Sequence, residues 1–137
     1  MTQKDPVGGL LVTHGALGVE LVAAARTIVG EAPHIAALSI GWNDDVSDSK
    51  RKVEEALGKV NRGRGVIVLT DMFGGTPSNL ALSFLKANDV EIVTGVNLPM
   101  VIKLANQSGG DTVSELALEI KKQGQRHISI ASEVLEP

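Results

Sequence analysis

Three histidines, His14, His34 and His127, are the side chains of this 137-residue sequence that ordinarily titrate near neutral pH, and cysteine is absent. Without cysteine there is no thiolate nucleophile, no disulfide and no Cys-ligated zinc or iron–sulfur centre. Chemistry must come from imidazoles, carboxylates and hydroxyls. One grouping draws them together: Thr13-His14-Gly15, and the run Asp71-Met72-Phe73-Gly74-Gly75-Thr76-Pro77-Ser78. A carboxylate that accepts a bond from one imidazole nitrogen fixes the tautomer and leaves the lone pair of the other facing out, as nucleophile or base. Gly74-Gly75 lets backbone approach a ligand with no Cβ in the way. Thr76, as N-cap, and Pro77 open a helix whose first-turn N–H groups, near Ser78, favour an anion. A nucleophilic histidine facing such donors suits a phosphoryl group, with about −2 charge and three acceptor oxygens.

Whether His14 meets Asp71 depends on the elements that carry them. Short apolar runs alternate with segments of helical period. Strands are expected over residues 8–13, 34–40, 65–70 and 90–94, and helices over 17–29, 49–60, 76–86, 98–107 and 111–122. Gly30 closes the first helix and Gly124 the last, which opens on a capping box, Thr112 to Glu115. Strands that are apolar throughout and alternate with helices imply an α/β fold: a single domain over residues 1–137, with a mostly parallel, doubly wound sheet covered by helices on both faces. In the order 2-1-3-4, strands one and three are neighbours where the order reverses. Ligands bind there, outside the carboxyl ends, so His14 and Asp71 should stand side by side. The first helix begins close behind His14 and should point its N-terminus at the same place. Residues 127–134 alternate polar and apolar and read as a C-terminal edge strand. It would be antiparallel, pairing either on its own subunit or across a homodimer.

The other candidates read as structural. His34 opens the second strand at the opposite end of the sheet, and His127 opens the last. Asp44, Asp45 and Asp48 lack the glycine and terminal glutamate of a calcium loop and read as a solvated loop, so no metal or other cofactor is expected. Trp42 reads as a cover over the sheet edge, with partner contact as the lesser alternative. A net charge of −3, two Phe, one Trp and no Tyr argue against nucleic acid as a partner. The polar opening Met1 to Pro6 is no signal segment, and no apolar run approaches the roughly 20 residues of a membrane span. A cytoplasmic protein without membrane insertion is expected.

Three stretches, LLVTHGALGVEL around His14, DMFGGTPSNLA from Asp71 and GVNLPM from Gly95, resemble the IIA component of the mannose/fructose/sorbose branch of the sugar phosphotransferase system (PTS). The resemblance runs from about residue 9 to residue 132. It implies a homodimer in which the C-terminal strand can be exchanged. It implies transient phosphorylation of His14 by the phosphocarrier HPr, with Asp71 as its partner, and passage of the group to a IIB component serving sugar transport. The reacting nitrogen should be Nε2, with backbone N–H groups of Gly74, Gly75, Thr76 and Ser78 steadying the phosphoryl group. Leu17, Met72, Phe73 and Met100 would form an apolar rim on which donor and acceptor dock. Residues 42–47 look more like the fructose/sorbose type than the mannose type. The sequence ends at Pro137 with no IIB domain, so it should act on a separate IIB. The alternatives are a regulatory module whose histidine phosphorylation controls a partner, or an unrelated enzyme using the His–Asp pair for acid–base chemistry.

Overall fold

The computed structural model describes residues 5–41 and 43–135; the reading of Trp42 lies outside the described residues. Four strands, β1 (Gly8–His14), β2 (Ile35–Ile40), β3 (Val66–Thr70) and β4 (Val90–Thr94), form one all-parallel sheet in the order β2-β1-β3-β4. Among the described residues six helices connect and follow them: α1 (Leu17–Val29), α2 (Val46–Val60), α3 (Thr76–Leu82), α4 (Leu98–Ala105), α5 (Val113–Arg126) and α6 (Ala131–Val134).

The period-two geometry of the strands divides the core into two layers. Leu11, Ile67 and Leu69 face one way and pack with Val22 and Ala25 of α1, Val101 and Leu104 of α4, and Leu116 and Ile120 of α5. Leu10, Val12, Val66 and Val68 face the other way, against Val53, Leu57 and Val60 of α2 and Leu80 and Ala81 of α3. A fully buried Leu, Ile or Val contributes about 1.5–3 kcal/mol, so both faces must be covered for the sheet to hold. Helix α1 ends at Gly30, whose φ of 91° only glycine adopts readily.

Several expectations need correction. Gly124 does not stop α5, which runs on to Arg126; it lies inside the helix, where a Cβ would sit 2.5 Å from Met100 Sδ. The glycine serves the close approach of α5 to α4. Helix α2 starts at Val46 rather than Ser49, with Asp45 as N-cap. Helix α3 ends at Leu82, after which the chain turns back so that Lys86 bridges to Val90. Its N-cap is Gly75, which moves Thr76 into the first turn.

The expected C-terminal edge strand is absent from the described residues. Residues 128–130 are non-regular and lead into α6, held by local bonds such as Val134 N–H to Ile130 O (3.2 Å). A strand needs a neighbouring edge for its backbone groups, and among the described residues the segment pairs with none, taking local bonds instead. Ile128, Ile130, Val134 and Leu135 are left exposed. No helix among the described residues is long and apolar enough to cross a membrane.

Candidate functional site

Sheet register brings the two principal residues together. Val12 lies beside Thr70, so the residues just beyond them, at the ends of β1 and β3, are neighbours. His14 Nδ1 sits 2.7 Å from Asp71 Oδ2, and the His14 backbone N–H donates to the same oxygen at 3.1 Å. The other carboxylate oxygen, Oδ1, accepts from the Met72 N–H at 3.1 Å. The carboxylate is thus held on both oxygens and is only 14% exposed, while the imidazole is 39% exposed.

Burial by itself would raise the Asp71 carboxyl pKa; the bonds from the His14 ring and backbone, together with the His14 charge, outweigh it and hold the group below its ordinary value. Asp71 is therefore ionised at neutral pH and can only accept. Nδ1 must then carry the ring proton, and in the neutral imidazole the lone pair falls on Nε2.

Nε2 points toward the loop after β3. A Cβ built on Gly75 would lie 2.9 Å from His14 Cε1 and 3.3 Å from Nε2, so only glycine lets the chain pass this close to the ring. Gly74 has φ 92°, the left-handed turn that brings the chain into α3. Ser78 is fully buried, and its Oγ accepts from the Gly74 N–H at 3.4 Å. Its side chain braces the loop from beneath, and the residue is closed to solvent. Thr76 and Ser78 belong to the first turn of α3, whose N–H groups the helix cannot pair, and Pro77 has none to satisfy.

The imidazole opens into a cleft of about 230 Å³ lined by His14, Gly15, Ile40, Gly41, Asp44, Val46 and Thr76. The sequence reading missed the contribution of the segment after β2. The signal was the register itself: His14 pairs with Ile40, so whatever follows Ile40 must adjoin the histidine. Val46, the first residue of α2, thus brings a second helix start to this cleft besides that of α3. The α1 amide of Gly18 is already taken by Thr13 Oγ1, at 2.7 Å.

Of the four rim residues expected, Leu17, Met72 and Phe73 are exposed, at 46%, 56% and 70%, but Met100 is buried at 3% under α5. Val46, 62% exposed at the mouth of the cleft, stands at the rim instead.

The remaining histidines lie elsewhere. His34 is buried and donates from Nε2 to the Leu104 carbonyl at 3.2 Å. Burial lowers its pKa, the bond to Leu104 raises it by less, and Arg62 and Arg26 depress it further. His127 caps the end of α5, its Nδ1 2.9 Å from the Gln123 carbonyl. Asp48 pairs with Arg51 at 3.0 Å. Among the described residues no group of three or more His, Asp or Glu could hold a metal.

Residues 8–121 match the model of the family described as PTS system fructose IIA component. The chain is 27% identical over 124 residues to the PTS system fructose-specific EIIA component of Bacillus subtilis, covering 90% of this chain and 85% of that one. It is 26% identical over 117 residues to the mannose-specific EIIAB component of Escherichia coli K12, covering 82% of this chain and 36% of the longer relative. The mannose/sorbose-specific IIA subunit of Enterococcus faecalis superposes with a TM-score of 0.81 at 30% identity, covering 92% of this chain and 95% of that one.

Proposed function

The chain belongs to the family of PTS IIA components of the mannose type, and from that premise we propose that it is a cytoplasmic phosphocarrier in which His14 takes a phosphoryl group from phospho-HPr and passes it to a IIB component. The observation that carries this reading is the His14 Nδ1–Asp71 Oδ2 contact of 2.7 Å, which leaves the Nε2 edge facing the glycine loop and the cleft.

The mechanism follows from that geometry. The Nε2 lone pair attacks phosphorus in line with the donor's N–P bond, which breaks with its electron pair going to the donor imidazole. The Nδ1 proton stays against Asp71, whose negative charge offsets the positive charge that grows on the ring. Backbone N–H groups of Gly75 and Thr76 take the transferred oxygens, with Gly74 supplying the turn that aims them and Ser78 bracing that turn from beneath. The same steps reversed deliver the group to the acceptor. A half-exposed ring beside exposed Leu17, Val46, Met72 and Phe73 supports docking by two proteins in turn.

The homodimer belongs to this proposal. The outer edge of β4 has no strand beside it among the described residues, and a groove of about 500 Å³ runs along it, between β4, α5 and Ile128. The exposed alternating residues Ile128 and Ile130 suit such an edge in a second copy. A monomer at micromolar concentration in sedimentation equilibrium would reject this part.

The test of the central reading is incubation with phosphoenolpyruvate, enzyme I and HPr. We expect one acid-labile phosphate per chain, lost in a folded His14→Ala variant. Folded wild-type protein that takes no phosphate, or a variant that still does, would refute it. Onward transfer to a IIB component separates a transport relay from a regulatory module that keeps its phosphate.

A further inference from the structure

We propose that Asp44 sets how tightly His14 holds its phosphoryl group, by occupying with its own carboxylate the space and the donor that a phosphoryl oxygen would use. The inference rests on the reading of His14 given above.

Asp44 lines the same cleft of about 230 Å³ as His14 and Thr76. Its Oδ2 accepts the Gly41 backbone N–H at 2.7 Å, a short, charge-assisted bond. Gly41 directly follows Ile40, the register partner of His14, whose carbonyl also accepts the Gly15 N–H at 3.1 Å. The Gly41 amide therefore borders the histidine at the end of the adjacent strand. In the unphosphorylated protein an anionic oxygen already satisfies that amide, and the anion is supplied by the chain.

Phosphorylation changes the charge of the cleft. His14 Nε2 forms a bond to phosphorus as the donor's N–P bond breaks; the Nδ1 proton is retained, and the cleft gains a group of about −2 charge. That group meets the Asp44 carboxylate. Like charges within one small cleft repel, and both compete for the Gly41 N–H, so phospho-His14 is held less tightly than the donors around it would allow. Asp71 acts with the opposite sign: it sits behind the ring, stabilises positive charge there and is shielded from the cleft, at 14% exposure. One carboxylate thus favours loading and the other favours release, which is what a relay needs to pass its group onward.

The experiment measures the equilibrium constant for phosphoryl exchange between HPr and this protein. Wild type, Asp44→Asn, Asp44→Ala and Asp48→Asn are compared, each checked for folding by circular dichroism. Asparagine keeps an acceptor for the Gly41 N–H and removes the charge; alanine removes both. Asp48 is another exposed carboxylate, outside the residues that line the cleft. Both Asp44 variants should shift the constant toward phosphorylated protein by about three- to tenfold at low ionic strength. The shift should shrink in 1 M salt, where the screening length is about 3 Å. Their phosphohistidine should also hand its group to IIB more slowly, while Asp48→Asn matches wild type.

The proposal is overturned by an unchanged constant in Asp44→Asn, by a shift in alanine alone, which makes Asp44 only a brace for Gly41, or by an equal shift in Asp48→Asn. A change in forward rate with the constant unchanged also overturns it, since the charge then acts on docking alone. Wild-type protein that takes no phosphate fails the reading of His14 itself.

Discussion

Replacing Gly75 by alanine tests the site through a single added carbon. The backbone at Gly75 has φ −86° and ψ 173°, an extended conformation open to any residue, so alanine brings no backbone strain. What it brings is a Cβ 2.9 Å from His14 Cε1 and 3.3 Å from Nε2. Carbon atoms in contact prefer about 3.5–4.0 Å, so the ring must withdraw by roughly 0.6–1 Å. It cannot do so along its own plane, because Nδ1 is anchored 2.7 Å from Asp71 Oδ2. The ring must tilt, and its Nε2 lone pair leaves the line along which a phosphoryl group would arrive. A misplacement of about 1 Å can cost up to 10²-fold in rate. We expect phosphorylation by phospho-HPr to slow about 10- to 100-fold, or roughly 1.4–2.7 kcal/mol of barrier. Stability should fall by less than about 1 kcal/mol, since the ring is 39% exposed and can swing outward. Rapid-quench kinetics give the rate, urea unfolding the stability, and imidazole nitrogen NMR the state of the bond to Asp71. A folded Gly75→Ala protein phosphorylated within twofold of the wild-type rate would refute the reasoning, because the ring would then have no need of its observed position.

Two further predictions concern titratable groups. Asp71→Ala should slow phosphorylation by about 10²–10⁴-fold, the range seen for orienting and proton-handling carboxylates elsewhere, and a rate within two- or threefold of wild type would reject the pairing. His34 should make the protein acid-sensitive: burial holds its folded pKa below the ordinary 6.5, so as pH falls through that value the unfolded chain gains a proton that the folded one refuses, and stability drops. Above 6.5 both states are neutral and the effect vanishes. His34→Gln should flatten the decline in urea-unfolding stability between pH 7.5 and 5.5, and a curve parallel to wild type would reject this. Asp71 does not confuse the measurement, because its stabilising contribution, present above the ordinary 3.8, is lost only as pH falls through its lowered value.

The sheet and the His14–Asp71 pair were legible for one reason. The strands are predominantly apolar, and β1 and β3 are buried on both faces, while helix-length connections force parallel neighbours. Once the order is β2-β1-β3-β4, the ends of β1 and β3 must meet, and the residues there are His14 and Asp71. What failed were features set by contacts distant in sequence. Gly124 carries the usual mark of a helix end, but its lack of a side chain serves Met100 on another helix. Met100 is apolar and follows a strand, as a rim residue should, yet the same contact buries it. The α2 start at the cleft was hidden because the segment after β2 is polar and reads as loop; only the pairing of His14 with Ile40 reveals where it lies. The C-terminal alternation states that one face wants burial, and says nothing of which edge provides it.

The distribution of exposure across the site suits a labile cargo. Asp71, the group that must stay ionised and aligned, is held by three N–H donors and lies mostly out of water. His14, proposed to carry the group that passes between proteins, stands 39% exposed at the end of the central strand β1. The donors proposed for the cargo are main-chain amides, which add no net charge that would trap a dianion in the way a lysine or arginine would. Among the described residues that line the cleft, the carboxylate is that of Asp44, of the same sign as the cargo. A site built to bind phosphate firmly would place a cation there. A carboxylate in that position sets aside tight binding in favour of release, so the charge distribution and the proposed role as a carrier point the same way.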